Sequence, residues 1–466
     1  MMYLFVIFCS AVILGAGFIL SRKHFFQVAE LTLSLLNSLL DSSADDSEKQ
    51  RLITRSLGRL ILSLARFIAA IIVLLSCTLL PILFFIDFDF TQLGSLDFNS
   101  LEFFLVLAAG SMIPFVVFSF RKQKGDYSEL SVLLHRIALN NYNIARSLFS
   151  IEMSLNKAKT RDLNQNFVVV SGLARAGTTG LTTLLNRSGK FHSLAYSNMP
   201  FLLTPNIWRI VYNPRKAELK ERAHGDKVMF GYNTVEALEE FFFKVFLNDS
   251  FIKLQSLTEH EIDADTYHRY IVYQNLLKPK NNNTSIYLAK NNNLILRFHS
   301  LRKLNPDFKV ILLFRDPLNH AYSLLKQHLR FSKYQKEDNF TLEYMNWLGH
   351  HEFGQSLKHF EFQTNNLQNT FLPDSIDHWL IVWINYYSVA LKITADENLF
   401  LVDYNDFLRE PERLIRALES RLNLQIGIHH IEPFENTNAY NGQADPVLLE
   451  KANAILKTLT QKKLMV

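Results

Sequence analysis

The chain has 466 residues, 48% of them hydrophobic, and a formal net charge of +5. That length allows a membrane region plus one large soluble domain, and so mild a charge gives no argument for nucleic acid as a partner. The only cysteines, Cys9 and Cys77, both lie in apolar runs, which excludes a disulfide framework.

Hydrophobicity is concentrated at the front. Met1 to Leu20 carries no charge and has the length that crosses a bilayer. Arg22 and Lys23 follow this run rather than precede it, so it reads as a retained helix and not as a secretory signal. Further apolar runs, 60–86 and 101–120, are also long enough to span. Between them lie Asp87, Asp89 and Asp97 but no lysine or arginine. Under a three-span reading, Arg22, Lys23, Arg51, Arg55, Arg59, Arg121, Lys122 and Lys124 fall on one side. The positive-inside rule makes that side the cytoplasm and puts the rest of the chain there. Residues 24–40 include Gln27, Glu30 and Asn37, which favour an interfacial or packed helix over a span. Were they a span, the orientation would have to be worked out again. The expected module is 1–126, with the lipid bilayer as its partner, serving as an anchor or helping to present a membrane-borne acceptor.

Leu130, Leu133, Leu134, Ile137, Ile144, Leu148 and Ile151 recur at helical spacing, with no glycine or proline between Ser128 and Lys159. This predicts one long helix over 127–160, a stalk packed on a soluble domain at 161–466. No internal repeat is evident, and the low-complexity patches are Asn281 to Asn283 and Asn291 to Asn293.

The soluble part opens with FVVVSGLARAGTTGL, 167–181. Phe167 to Val170 is a buried strand by composition, and Leu181 to Leu185 begins a helix. Gly172 and Gly177 have the spacing of a phosphate loop. In a strand–loop–helix of this kind, backbone N–H groups and the helix N-terminus face the anion. The candidate binding residues are Gly172, Arg175, Ala176, Gly177, Thr178 and Thr179. Thr178 stands where a Walker loop carries its lysine, and no strand ending in a convincing magnesium aspartate follows, which disfavours a Walker ATPase. The nearby cation is Arg175, a planar fork suited to oxyanions.

A second motif, VILLFRDPLNHAYSLLKQH, runs from Val310 to His328. Val310 to Phe314 reads as another buried strand, Arg315 ends it, Pro317 marks a turn, and Ser323 lies two helical turns on. An arginine at a strand end and a serine so placed can clamp one phosphate.

In this order and spacing the two motifs resemble the sulfotransferase superfamily. The first is similar to its 5′-phosphosulfate loop in the RxGTT form of tyrosylprotein sulfotransferases; the second resembles its 3′-phosphate motif. FLVDYNDFLREPERLI, 400–415, is a weaker match to a late strand followed by a Tyr-x-Asp segment. RAGTT, ERAHGD and the RDPLxHAxSLLxQH segment also resemble bacterial membrane-linked sulfotransferase-domain proteins. The resemblance covers about Asn166 to Leu424. It implies 3′-phosphoadenosine 5′-phosphosulfate (PAPS) as donor and no metal. The sulfated end would sit on Gly177, Thr178, Thr179 and Arg175, and the 3′-phosphate on Arg315 and Ser323. It further implies Lys290 as a second cation near the bridging oxygen. The run Asn291, Asn292 and Asn293 reads as a loop beside it.

The general base is not where the resemblance would put it. AYSNMPF, 195–201, offers Asn198 and no carboxylate. In ERAHGD, His224 has a pKa range suited to accepting a proton, and Asp226 could orient it or act itself. A substrate-side base stays open, and His192 is a weaker candidate. Glu236, Glu239 and Glu240 read as a solvated helix face. His350 and His351, beside Glu352, look like neighbours on one helix that diverge in direction, though they could face the acceptor cleft. Trp379, Trp383 and Tyr386 repeat at helical spacing and read as core. No zinc spacing and no GxSxG elbow occurs.

The expected fold class is α/β, with a P-loop-like, mainly parallel central sheet flanked by helices behind an α-helical transmembrane module. The expected activity is PAPS-dependent sulfuryl transfer to a hydroxyl, on a carbohydrate or glycolipid near the inner membrane. The alternatives are a catalytically silent nucleotide-binding membrane protein and a divergent P-loop kinase or NTPase.

Overall fold

A computed structural model describes residues 2–40, 46–86, 100–119, 129–160, 163–211, 220–221, 229–230, 237–279, 282, 284–363, 367–428, 440 and 442–465. The chain divides into two compact units, Met1–Ile137 and Ala138–Val466.

The first unit is helical: α1 (Met2–Leu40), α2 (Asp46–Phe85), α3 (Leu101–Ser119) and the start of α4 (Glu129–Leu139). Helix α1 packs on both α2 and α3. Tyr3–Thr32 and Thr54–Phe85 are long and apolar enough to cross a membrane; the apolar stretch in α3, Glu102–Pro114, is shorter. The stretch 24–40 is a continuation of α1 rather than a separate helix. Arg22 and Lys23 do not end it, because straight-chain cations are good helix formers and no glycine or proline follows within α1. Within this unit Glu30 pairs with Arg136 at 2.5 Å.

The predicted stalk helix is two helices. Ser and Asn side chains compete for backbone groups, and Asn140–Asn141 separates α4 from α5 (Tyr142–Leu155). Helix α5 is a core element of the second unit. Phe149 is fully buried against Phe242, Phe246 and Tyr273. Buried Glu152 accepts bonds from the Asn206 backbone N–H and amide at 2.9 and 2.6 Å and from Ile207 N–H at 3.0 Å.

The second unit continues as β1 (Phe167–Ser171), α6 (Thr178–Arg187), β2 (Phe191–His192), α7 (Pro205–Val211), β3 (Lys220–Glu221) and β4 (Met229–Phe230). Then come α8 (Glu240–Leu247), β5 (Ser256–Thr258), α9 (Ala264–Leu277), β6 (Ile286–Lys290), α10 (Phe298–Leu304) and β7 (Lys309–Phe314). The rest is α11 (Pro317–Glu337), α12 (Asn339–Leu348), β8 (His359–Glu361), α13 (Ile376–Ile393), β9 (Leu399–Asp403), α14 (Tyr404–Arg409), α15 (Pro411–Leu422) and α16 (Pro446–Lys462). Five strands form one sheet in the order β2-β6-β1-β7-β9, and every pairing in it is parallel. Strands β3 and β4 pair antiparallel, and β5 and β8 form a separate parallel pair.

Alternate residues of the central strands enter two cores, as a sheet covered on both faces requires. Phe167, Val169, Val310 and Leu312 join Trp379, Trp383 and Tyr386 of α13, the core role that their helical spacing predicts. Val168, Val170, Ile311 and Leu313 face Leu181 and Leu185 of α6 and Leu414 and Leu418 of α15. The sheet's order places the C-terminal ends of β6, β1 and β7 side by side.

Candidate functional site

The loop between β1 and α6 sits at that edge. Gly172 has φ +150, and a Cβ there would come within 2.7 Å of the Leu313 carbonyl oxygen. Gly177, at φ +98, would drive a Cβ to 2.5 Å from the Tyr404 ring. Both positions therefore require glycine. Arg175 also takes a left-handed conformation, φ 70, which L-residues with a Cβ rarely adopt. Thr178, buried, is the first residue of α6, and the helix N-terminus opens onto the loop. His320, fully buried in α11, donates from Nε2 to the Ala174 carbonyl at 2.7 Å and pins the loop from the side. Burial, then the nearby charge of Arg315, holds its pKa down to about 3, so it serves as a neutral donor.

Arg315 follows β7 and is 4% exposed. Its guanidinium lies over the Tyr404 ring at 4.7 Å. Burial disfavours its charged form; Tyr404 favours it, and Arg175 again disfavours it. Asp316 caps α11 by accepting from Asn319 N–H at 2.9 Å, which brings buried Ser323 two turns along. Arg175 Nε donates to Ser323 Oγ at 3.4 Å. The phosphate loop and the Arg315–Ser323 motif, separate in sequence, thus meet in space. With two guanidiniums, a hydroxyl and a helix N-terminus in one place, this edge suits an extended anion. Tyr404, which closes over Gly177 and stacks on Arg315, was legible only as part of the weak Tyr-x-Asp match.

Lys290 ends β6 in register with Val170, directly beside the loop. It is buried, and Asn291 is tied to β1 twice: Asn291 N–H donates to Val170 O at 3.1 Å, and Ser171 Oγ donates to Asn291 O at 2.8 Å. The Asn291 amide donates to Glu239 Oε2 at 3.0 Å. Glu239 also accepts from Tyr270 and Tyr287 hydroxyls at 2.5 and 3.0 Å, and burial pushes its pKa up. Glu240 is clamped by the Arg297 guanidinium at 2.5 and 2.9 Å. Burial pushes Glu240 up, but Arg297 holds it below the ordinary range.

The expected solvated face is thereby overturned: Glu239 and Glu240 are 3% and 4% exposed. An i, i+1 pair of carboxylates can be buried here because each finds a separate set of donors. Glu236, His224 and Asp226 lie outside the described residues. Asn198 is buried and accepts the Ala195 N–H at 2.9 Å, a local cap. His192 is engaged at both ring nitrogens, by Ser285 Oγ at 3.0 Å and Gln274 O at 3.1 Å, and burial lowers its pKa to about 4.

A small polar cleft lies beside Lys290. It is lined by Glu240, Lys290, Asn292, Asn293, His350 and Glu352 among others. His350 and His351 are not on one helix: α12 ends at Leu348, and Gly349 at φ 77 turns the chain. His351 is buried, with Nδ1 3.3 Å from Ser356 O, while His350 lines the cleft. Among the described residues, no group of three or more His, Cys, Asp or Glu is placed to hold a metal ion.

A family model described as "Sulfotransferase family" matches residues 167–356, which contain both anion-binding motifs and the cleft. Three solved sulfotransferases are similar in structure. One from Mycobacterium tuberculosis is 14% identical, with 65% of this chain and 79% of that chain covered, TM-score 0.39. One from Mycobacterium avium is 14% identical, covering 72% and 86%, TM-score 0.40. One from Alicyclobacillus acidocaldarius is 12% identical, covering 64% and 94%, TM-score 0.32. A search of curated proteins finds no match. The family match supports the sulfotransferase superfamily, and sulfuryl transfer as the general chemistry.

Proposed function

We propose, with the sulfotransferase family as premise, that the second unit transfers a sulfuryl group from PAPS to a hydroxyl acceptor on a carbohydrate or glycolipid at the membrane. The observation that carries the reading is the junction of the two motifs, with Arg175 Nε 3.4 Å from Ser323 Oγ. The residues fit the donor: the loop bends at two positions where a Cβ would collide, and buried Arg315 and Ser323 stand together at the adjacent strand end.

In this reading Arg315 and Ser323 hold the 3′-phosphate. Gly177, Thr178 and Thr179 present N–H and hydroxyl donors to the sulfated end. PAPS supplies the sulfuryl group and a bisphosphate leaving group. Lys290 and Arg175 offer fixed positive charge where negative charge builds on the bridging oxygen, the part of such a transfer that positioning and electrostatics serve best. Two apolar helices in the first unit are candidate membrane spans. We further propose that they anchor the chain in the inner membrane with the second unit in the cytoplasm, from the basic flanks given above.

The test is calorimetric titration of the full chain in nanodiscs with 3′-phosphoadenosine 5′-phosphate (PAP) and, separately, with magnesium-ATP. Magnesium-independent binding of PAP supports the reading. Preference for magnesium-ATP would replace it with a divergent NTPase.

A further inference from the structure

The fold leaves a buried polar cleft next to the transfer site, and its chemistry is specific. The side-chain oxygens of Asn292 and Asn293 are buried without a hydrogen-bond partner. These residues are 9% and 4% exposed, and both line the cleft. A buried acceptor without a donor is costly, so the cleft is suited to a ligand that brings O–H donors. The cleft is also tied to the donor loop: Lys290 lines it and is paired with Val170, one residue before Ser171, whose hydroxyl bonds to Asn291 O.

The titratable groups facing this cleft are Glu240, Lys290, His350 and Glu352. Glu240 is committed to both ends of the Arg297 guanidinium. Lys290 is assigned above to the bridging oxygen. Burial pushes Glu352 up, and a protonated His350 ring holds it down to about 2. His350 Nδ1 stands 3.6 Å from Glu352 Oε2, and Asn292 Nδ2 reaches the other carboxylate oxygen at 3.5 Å. The carboxylate therefore faces one ring nitrogen, and Nε2 is the one left for chemistry. At 3.6 Å the pair is looser than a formed base–orienter hydrogen bond, as is common before substrate binds.

We propose that this cleft is the acceptor subsite for a polyhydroxyl, glycan-type substrate, and that His350 is its general base with Glu352 as the positioning residue. The proposal rests on the sulfotransferase reading. The acceptor's neighbouring hydroxyls donate to Asn292 and Asn293 Oδ1. His350 Nε2 removes the proton of the attacking hydroxyl as its oxygen bonds to sulfur. The bond from sulfur to the bridging oxygen breaks, and its electron pair leaves on PAP, where Lys290 meets the new charge. The proton ends on His350 and passes to water.

The experiment uses the full chain in nanodiscs with labelled PAPS, with octyl β-glucoside or water as acceptor, and PAP release as readout. PAP binding is measured in parallel. His350→Ala should keep PAP affinity and lose about 10²–10⁴-fold in rate. Added imidazole should restore part of that loss. Glu352→Gln should lower kcat at unchanged KM. Wild-type rates in His350→Ala would overturn the proposal. So would a wild type that binds PAP but cleaves PAPS with neither acceptor, since a poised base beside the sulfuryl group activates water. If His350→Ala loses PAP affinity as steeply as rate, the residue is packing and the proposal also fails. Absence of PAP binding in the wild type is a different result: it refutes the sulfotransferase reading itself.

Discussion

Arg297 and Arg315 are buried to nearly the same degree, 1% and 4% exposed, yet they predict opposite responses to one substitution. Arg297 neutralises Glu240 through two bonds at 2.5 and 2.9 Å. Arg297→Gln leaves that carboxylate buried and uncompensated, which costs about 3–5 kcal/mol of stability. Around Arg315, burial and the neighbouring Arg175 disfavour the charged form, against which Tyr404, Asp316 and Tyr387 give a partial offset. A folded-state pKa depressed in a base means that folding works against this charge at neutral pH. Arg315→Gln in the ligand-free chain therefore relieves that opposition while giving up the favourable contacts with Tyr404, Asp316 and Tyr387, of which the stacking on Tyr404 is worth about 0.5–2 kcal/mol. The net change in stability should stay within about 1 kcal/mol of zero. With PAP the ranking reverses. Truncating one partner of a buried charge pair costs about 2–5 kcal/mol, or about 30- to 4,000-fold in Kd. Denaturant unfolding of both variants without ligand, and calorimetric titration of Arg315→Gln with PAP, give the comparison. If Arg315→Gln destabilises the ligand-free chain as much as Arg297→Gln and leaves the Kd within about threefold, Arg315 is a structural arginine and the anion site lies elsewhere.

Three further outcomes follow from the same geometry. Gly177→Ala should abolish PAP binding and lose about 1–2 kcal/mol from its left-handed φ alone; adding Tyr404→Ser should relieve the collision but not the backbone cost, as thermal melts of both would show. Glu239 has a raised folded pKa, so its stabilisation is full below the ordinary carboxylate range and is lost as pH rises toward its folded value. Unfolding midpoints measured upward from about pH 4.5 should therefore decline more steeply in the wild type than in Glu239→Gln; parallel curves would refute the assignment. Protease added outside right-side-out vesicles should spare the second unit if it is cytoplasmic, and cleavage there would reverse the proposed orientation.

The sequence exposed those parts of the site that backbone geometry dictates. Gly172 and Gly177 could be read because a tight anion loop tolerates little else, and Arg315 and Ser323 because a strand end and a helix impose their spacing. The strands could be read because a sheet covered on both faces needs continuous apolar runs. What stayed hidden depends on who meets whom in space. Glu239 and Glu240 look like a solvated face until Tyr270, Tyr287, Asn291 and Arg297, all more than thirty positions away, supply their partners. Asn140–Asn141 breaks a helix that apolar periodicity alone would continue, because periodicity reports a buried face and not a backbone path. His350 illustrates the same limit at the centre of the chemistry. In sequence it is one of two adjacent histidines, and only the turn at Gly349 separates a buried His351 from a His350 that lines the same cleft as Lys290. A base assigned by its distance along the chain from the loop cation leads to Asn198, which is engaged in a local cap. A base assigned by what surrounds the cleft leads to His350, because Glu352 stands against one of its ring nitrogens and leaves the other for the proton.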